Sequence, residues 1–469
     1  MTAYDRRIFM AVAGAGLALA PLGARAQTSA VQMTLTLQPQ KRLHVIPADF
    51  MGLGYEITTI ASPEILSGRN HTYVQLVKNL GHRGVVRVGG NTSDFSSYDA
   101  RGTPQDFPRG TVINEMGLRQ LRGFLDAVNW NCIWGLNLGS DKLDNAVAEA
   151  RAVCAIVGPR LLALEIGNEP DLFARAGHRS GDWTYDRWHQ EYTRAKAAVR
   201  AVVPHAVFAG PDQAGNGDWI AQYARDEGHD AVLLTAHHYI TGQANPTATV
   251  DTMLQPDPRY EAVLPNFAAA SKAANLPWRI CETASYSGGG KLGASDSFAA
   301  GLWVLDYLYV LAMAGCAGVN METGVNHLGW VSYYTPIGDD THGTFTAAPE
   351  YYGLLAFAQA GGTLIGAALS GAPATLTAYA TQPRQGETVL TVINKDRAQA
   401  AAVNVEGAKG AGRVMRLEAP SVVSRSEVTL GGAGVGANGV WKGTARETLA
   451  AGAQLQVPAA SAAVVTFRD

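Results

Sequence analysis

Cysteine is scarce in this chain of 469 residues: there are four, Cys132, Cys154, Cys281 and Cys316, far apart and in apolar surroundings. They form no Cys-x-x-Cys or Cys/His spacing, which excludes a zinc module and a disulfide framework. Four buried small hydrophobes are expected, with a single disulfide as the alternative. Charge is also sparse. Charged residues make up 16% of the chain, 37 basic against 40 acidic, for a formal charge of -3. Without a basic cluster, neither nucleic-acid binding nor adhesion to long acidic polymers is expected. No run after residue 22 approaches the roughly 20 apolar residues that span a bilayer, so no membrane partner is expected. No glycine-rich phosphate loop follows the first strand, and no cofactor or metal is expected.

What is present begins with a targeting segment. Arg6-Arg7 precedes an apolar run over 8–22, and Ala24-Arg25-Ala26 has the small-x-small form of a cleavage site. Residues 1–26 are read as a twin-arginine-like signal, cut before Gln27, with an ordinary secretory signal as the alternative. The protein is then exported from a bacterial cytoplasm, to the periplasm or beyond. The segment carries Arg6, Arg7 and Arg25 against Asp5, a net of +2, so its loss moves the formal charge from -3 to -5.

The length suits a large domain with a smaller one, and 47% hydrophobic residues permit a sizeable core. From 50 to 321, short apolar runs alternate with helical patterns. Strands are expected over 52–57, 84–90, 132–138, 161–166, 206–209, 231–239, 278–281 and 318–321. Helices are expected over 72–80, 115–129, 142–157, 185–203, 219–225, 259–274 and 297–314. Near-continuous apolar strands mean burial on both faces, and eight of them predict a (β/α)8 barrel over 47–350. A doubly wound open sheet is the competitor. After 350, Gly and Ala rise and short alternating runs such as 375–379, 389–393 and 462–467 predict a β-sandwich over 351–469. The alternating segment within 27–46 has no place in the barrel and is expected to join that sandwich. The fold class is therefore α/β, with an added β-domain built from both ends of the chain.

Two of the barrel runs end on a carboxylate. Leu164-Glu165-Ile166-Gly167-Asn168-Glu169-Pro170-Asp171 closes strand four, and Pro170 stops the strand so that Glu169 stands at the rim. Trp278-Arg279-Ile280-Cys281-Glu282-Thr283 repeats the pattern at strand seven. Barrel enzymes keep their chemistry at this end of the strands. Two carboxyl groups about 5 to 5.5 Å apart are what a retaining glycosidase needs, one as acid/base and one as nucleophile. Each glutamate taken alone could equally be a rim salt bridge. His237 and His238 invite a metal reading, but successive strand residues point to opposite faces and cannot chelate together.

These residues resemble glycoside hydrolase family 79, the β-glucuronidase and heparanase family, in its bacterial exo-acting form. Arg87-Val88-Gly89-Gly90-Asn91-Thr92-Ser93-Asp94 is similar to that family's Arg-x-Gly-Gly-x-x-x-Asp segment. Residues 165–171 resemble its acid/base strand, and Trp278 to Glu282, with Thr283, Ser285, Tyr286 and Gly288-Gly289-Gly290, its nucleophile strand and glycine loop. The likeness covers roughly residues 50–335.

The resemblance implies a retaining exo-β-glucuronidase acting on terminal β-glucuronides, 4-O-methylated or not, as a monomer. Glu169 would be the acid/base, Glu282 the nucleophile and Asn168 the residue holding the sugar 2-hydroxyl. Glu56 is placed to bind sugar hydroxyls, or else to pair with Arg87. Tyr239 is placed to hold Glu282 ionised, or else to be a packed tyrosine. Ser287, Gly288 and Gly289 of the glycine loop, with Tyr333 or Tyr334, would receive the C6 carboxylate. Tyr286 and Ser287 do not align securely with the family's tyrosine. His237 is expected on the inner face beside Tyr239, and Arg87 in the barrel floor or a carboxylate's hydrogen-bond network. Trp330 and Tyr352 are candidates for the leaving-group side. The alternatives are an endo-acting heparanase-like enzyme, which the missing basic clusters disfavour, a neutral-sugar barrel glycosidase, and a non-catalytic sugar-binding barrel.

Overall fold

The computed structural model describes residues 30–105, 109–214, 218–324, 332–340 and 342–468, and element counts refer to these. The leader-like run 1–26 and Trp330 lie outside them.

Eight parallel strands close into a barrel in chain order: Gly52–Glu56, Val85–Gly89, Asn131–Leu136, Leu161–Ile166, Phe208–Gln213, Ala231–Gly242, Trp278–Ser287 and Val319–Glu322. The chain order of the strands is their spatial order, because each is followed by a helix that carries it to the next parallel position. Helix Glu115–Val128 shows the local logic. Asn114 caps its start by accepting from the Gly117 amide at 3.0 Å, and Asn129 ends it in the left-handed conformation. Between these limits Leu118, Leu121, Phe124, Leu125 and Val128 form the stripe laid against the barrel.

Several boundaries differ from the sequence reading. Strand seven does not stop at Cys281 but runs to Ser287, because Thr283–Ser287 goes on pairing with His238 to Gly242 of strand six. Glu282 thus lies inside the strand rather than at its end. The expected helix over 259–274 is two pieces, Pro258–Glu261 and Leu264–Ala274, the second restarting with Pro265 in its first turn. Helix Pro349–Phe357 runs across the expected domain boundary at 350 and packs on the helix Phe298–Met313, so the sheet domain starts at strand Gly362–Ser370.

That domain is the expected added β-domain, its ten strands joined in one continuous hydrogen-bonded ladder. Its curl brings Leu35, Leu390, Val403, Leu455 and Val465 from distant strands into one core. Val31–Ile46 joins it, antiparallel to Gly362–Ser370 and parallel to Ala401–Glu406. The two domains are fastened at Asp306, which is buried and accepts from Thr377 at 2.6 Å, Tyr379 at 2.8 Å and Lys395. The four cysteines are free, as expected.

Inside the barrel, Val85, Ile133, Ala163, Ala209, Leu233 and Cys281 form a closed apolar floor. Two residues further along strands two and four, side chains on the same face are Arg87 and Glu165, both fully buried. The polar site is therefore built directly on this floor.

Outside strand three sits Glu149, on helix Leu143–Ile156. Trp134 Nε1 donates to its Oε1 at 2.8 Å, while Oε2 has no partner among the described residues. Burial pushes this carboxyl from 4.5 to about 8. A raised value means stability that is complete below the unfolded pKa and is lost as pH rises through the folded one. Glu149→Gln is expected to raise the unfolding free energy from urea titration at pH 8, by on the order of 3 kcal/mol, and to leave it nearly unchanged at pH 4.5. Equal effects at both values would refute the assignment.

Candidate active site

Arg87 of strand two stands on the barrel axis and spends its whole guanidinium on four neighbours. Nε donates to Glu165 at 3.2 Å, Nη1 to Glu282 at 2.7 Å, and Nη2 to Asn168 at 2.8 Å and Asp212 at 2.6 Å. Burial works against its charge, but Asp212, Glu165 and Glu282 outweigh burial and hold the arginine cationic. The expectation that Arg87 belongs to a carboxylate's network is met.

Asp212 lies just past the cis Gly210-Pro211 bond, at φ 60°. Burial would raise its carboxyl; Arg87 and then His237 hold it down at about 2. Its neighbour Glu165 goes the other way, pushed to about 7 by burial and by the Asp212 charge against the pull of Arg87. His237, fully buried, is kept protonated: burial disfavours the cation, and Asp212 and Glu282 outweigh it. As imidazolium it donates from Nε2 to Asp212 at 2.7 Å and from Nδ1 to Glu169 at 3.1 Å.

Glu169 follows strand four at φ 47°, ψ 51°, a left-handed backbone that turns its side chain to the barrel mouth. Its amide donates to the Asp212 carbonyl at 3.0 Å, which fixes the turn. Asn168 is held by its own amide donating to Asp94 at 2.9 Å. Asp94 also accepts from the amides of Leu138 and Gly139, so one buried carboxylate locks the loops after strands three and four.

Glu282 accepts from Tyr239 at 2.8 Å through Oε1 and from Arg87 through Oε2. The carboxylates of Glu169 and Glu282 and the His237 ring place one ligand atom each within 4.8 Å of one another. Glu165, Asp212 and Cys281 make a second such trio below it. In both the positive charge is already supplied, by His237 in the upper and by Arg87 in the lower, so neither offers a vacant anionic cage.

Glu56 ends strand one and accepts from the Asn91 amide at 3.2 Å and from the Thr92 amide and hydroxyl at 2.8 and 2.5 Å. Its partners are thus the loop after strand two, not Arg87. Gly90 permits this at φ 72°, since a Cβ there would sit 2.5 Å from the Glu56 carboxyl. Burial and then the Glu282 charge push Glu56 to about 7.

The glycine loop leaves strand seven with Gly288, Gly289 and Gly290 all at positive φ, between 80° and 95°. The Tyr333 amide donates to the Gly289 carbonyl at 2.6 Å, and the Tyr334 ring lies 6.2 Å from that of Tyr239. The loop and Tyr334 thus share the corner of the mouth beside Glu282. Ser287 ends strand seven against Gly242, on the rim above the carboxylates. Tyr286 turns away, donating to the Thr249 carbonyl at 2.6 Å. Tyr352 packs under the sheet domain, accepting from Val435, and is no part of the site.

Sequence reading missed Glu165, Asp212 and Glu322. Glu322 is the last residue of strand eight and repeats the signal that marked Glu169 and Glu282, an apolar run ending on a carboxylate. The run was read as stopping one residue earlier.

No family model matches the chain. A β-glucuronidase of Aspergillus niger is 28% identical over 320 residues, 60% of this chain and 58% of that protein. A β-glucuronidase of Neurospora crassa is 28% identical over 325 residues, 61% of this chain and 57% of that one. The matched stretch therefore spans less than two thirds of either relative. Among solved structures, a 4-O-α-L-rhamnosyl-β-D-glucuronidase from Fusarium oxysporum superposes with TM-score 0.74 at 20% identity, covering 93% of this chain and 100% of that one. An α-L-arabinofuranosidase from Thermotoga maritima gives TM-score 0.68 at 15% identity, with 93% and 100% covered. Likeness at these identities establishes the fold, a barrel with an added antiparallel sheet.

Arg87→Met would leave Glu165, Asp212 and Glu282 without their shared cation. A loss of about 3 to 5 kcal/mol is expected at pH 7, smaller at pH 5 where the carboxyls take up protons more readily. Urea midpoints at the two values test this, and a loss independent of pH would refute it.

Proposed function

We propose that the protein is a retaining exo-β-glucuronidase of glycoside hydrolase family 79, removing terminal β-linked glucuronic acid, 4-O-methylated or not, from glycans or glycosides. The observation that carries the reading is the pair Glu169 and Glu282, on strands four and seven, with carboxylate oxygens within 4.8 Å of each other. That closeness suits the double-displacement route and leaves too little room for the water that inversion needs between the two groups. The similarity to two β-glucuronidases supports the choice of sugar.

In the first step Glu282 attacks the anomeric carbon while Glu169 gives its proton to the glycosidic oxygen as the C1–O bond breaks. The product is a glycosyl ester on Glu282. In the second step Glu169 takes a proton from water, the oxygen attacks C1, and the ester bond breaks. Arg87 and Tyr239 aim the Glu282 carboxylate. Their donation orients it before attack and stabilises it as a leaving group afterwards. His237 fixes Glu169 from below, and Asp212 fixes His237. Asn168, clamped by Arg87 and Asp94, gives one side-chain N–H to Asn91 at 3.4 Å and has the other for the sugar 2-hydroxyl, a contact that strengthens in the transition state.

Exo action is supported by the even charge of the chain, with no basic track for an extended sulfated polymer. Export rests on the leader-like run 1–26. A monomer is proposed, and no helix of the described residues is long and apolar enough to cross a membrane.

Initial rates on aryl β-glucuronide, β-glucoside and β-xyloside test the sugar; a preference for either neutral sugar would overturn the reading. The first-formed product anomer is expected to be β by proton NMR, and an α product would mean inversion. Glu282→Gln is expected to lower kcat on the order of 10⁴-fold or more. Glu169→Gln should still release a dinitrophenyl leaving group in a burst, since that group needs no protonation, and then stall at the ester. Unchanged turnover in Glu282→Gln would sink the mechanism.

A further inference from the structure

Strand eight ends on Glu322, which the proposed mechanism does not use. The residue is 3% exposed, and its Oε2 has no hydrogen-bond partner among the described residues. It pairs in register with Gly54 of strand one, where a Cβ would lie 2.8 Å from that oxygen. The missing side chain at 54 therefore makes the space in which the carboxyl stands.

The groups facing Glu322 come from every neighbouring strand. They are Glu282 from strand seven, Glu56 from strand one, Arg87 from strand two, and His237 and Tyr239 from strand six, with Tyr334 above; Tyr55 of strand one feels its charge from the outer face, where it bonds Tyr73. The two cations are already committed, Arg87 to four acceptors and His237 to Asp212 and Glu169. Burial first, then the charges of Glu282 and Glu56, push the Glu322 carboxyl well above its ordinary range. A carboxyl in such a place favours its neutral form, which carries a hydrogen-bond donor. Left unpaired and buried, that donor is costly, and a ligand acceptor would relieve the cost.

The sugar's orientation names the acceptor. In a pyranose, C2 is bonded to C1 and C5 to O5, so the two leave opposite ends of the C1–O5 bond. With C1 between Glu169 and Glu282 and the 2-hydroxyl toward Asn168, C5 and its C6 substituent point away from strand four. They enter the corner formed by strands seven and eight, where Glu322, Tyr334 and the glycine loop converge. Among the described arginines and lysines, the one whose charge acts on Glu322 is Arg87, which is already committed.

Resting on the reading above, we propose that Glu322 is a specificity-determining residue: as a neutral acid it donates its proton in a hydrogen bond to the C6 carboxylate of the bound uronate. The pair Glu322–COOH and sugar–COO⁻ then carries one negative charge instead of two. Above the pH at which Glu322 ionises, binding must take up one proton from solvent, and affinity falls tenfold per pH unit. A glutamine in its place would donate at every pH.

Binding of D-glucuronate by isothermal titration calorimetry, from pH 5 to 9 in buffers of different ionisation enthalpy, tests this directly. The wild type is expected to take up about one proton per ligand at the alkaline end, with affinity falling tenfold per unit. Glu322→Gln should bind with no proton uptake through Glu322, as tightly as wild type at pH 5 and at least tenfold more tightly at pH 9. Glu322→Ala should lose at least tenfold at pH 5. Thermal melts accompany each variant to show that it is folded. Proton uptake unchanged in Glu322→Gln, or wild-type affinity independent of pH while aryl β-glucuronide is still hydrolysed, would overturn this inference alone. Absence of both glucuronate binding and β-glucuronide turnover in the wild type would overturn the functional reading with it.

Discussion

A single guanidinium joins strands two, four, five and seven at the barrel axis. Arg87 reaches Glu165, Asp212 and Glu282 and the Asn168 amide together, with no solvent to share the load. Ion pairs buried in this way are weak contributors to net stability, because desolvation of each charge offsets the attraction. Their value here is positional. One rigid fork sets the distance between four strand ends, and Glu282, the nucleophile of the proposed mechanism, is one of the groups it holds.

Charge changes with height above this layer. At the level of Arg87 the carboxyls are paired with it, Asp212 held down at about 2 while Glu165, under burial and the Asp212 charge, is pushed to about 7. At the mouth the acids are crowded without a cation of their own, and Glu56 rises to about 7. Of the buried cations on the barrel strands, Arg87 and His237 stand at this layer and are bonded to its carboxylates, while Arg279 is spent on Asn320 and the Phe50 and Val319 carbonyls. The acids of strands eight and one, Glu322 and Glu56, are thus shifted toward their neutral forms. Such a division lets one pocket hold several carboxyl groups without mutual repulsion expelling the ligand.

Much of this architecture was legible in the residues. The eight strands announced themselves as short apolar runs because both faces of a barrel strand are covered, and Pro170 marked the rim at Glu169. Glu282 was found from the same pattern, and the resemblance carried Asn168, Glu56, Tyr239 and Tyr334 to the site the structure builds. What escaped was the polar interior. Glu165 sits within an apolar strand with nothing beside it in sequence to give away its partner 78 positions earlier. Asp212 follows a Gly-Pro pair that reads as a loop, yet it belongs to strand five. The segment Thr283–Ser287 is small and polar, so it read as loop; its strand character comes from pairing with strand six, a tertiary property.

The first strand of the sheet domain, Val31–Ile46, is laid down by the ribosome before any of its partners exist. Thr34 must wait for Ser370 and Val31 for Ala401, with the whole barrel made in between. Contacts so distant in sequence form late, since closing so long a loop is rewarded only once the intervening chain is compact. Seven of the eight barrel pairings join strands consecutive in the chain and have no such delay; only the closure of strand eight on strand one spans a comparable distance. Until Gly362–Ser370 emerges, the first strand presents two unpaired edges, and the Lys41 and Arg42 within it are the kind of charged residues that discourage a stray strand from docking there. The two ends of the polypeptide thus act as a clasp that is fastened last, after the catalytic barrel has already taken shape.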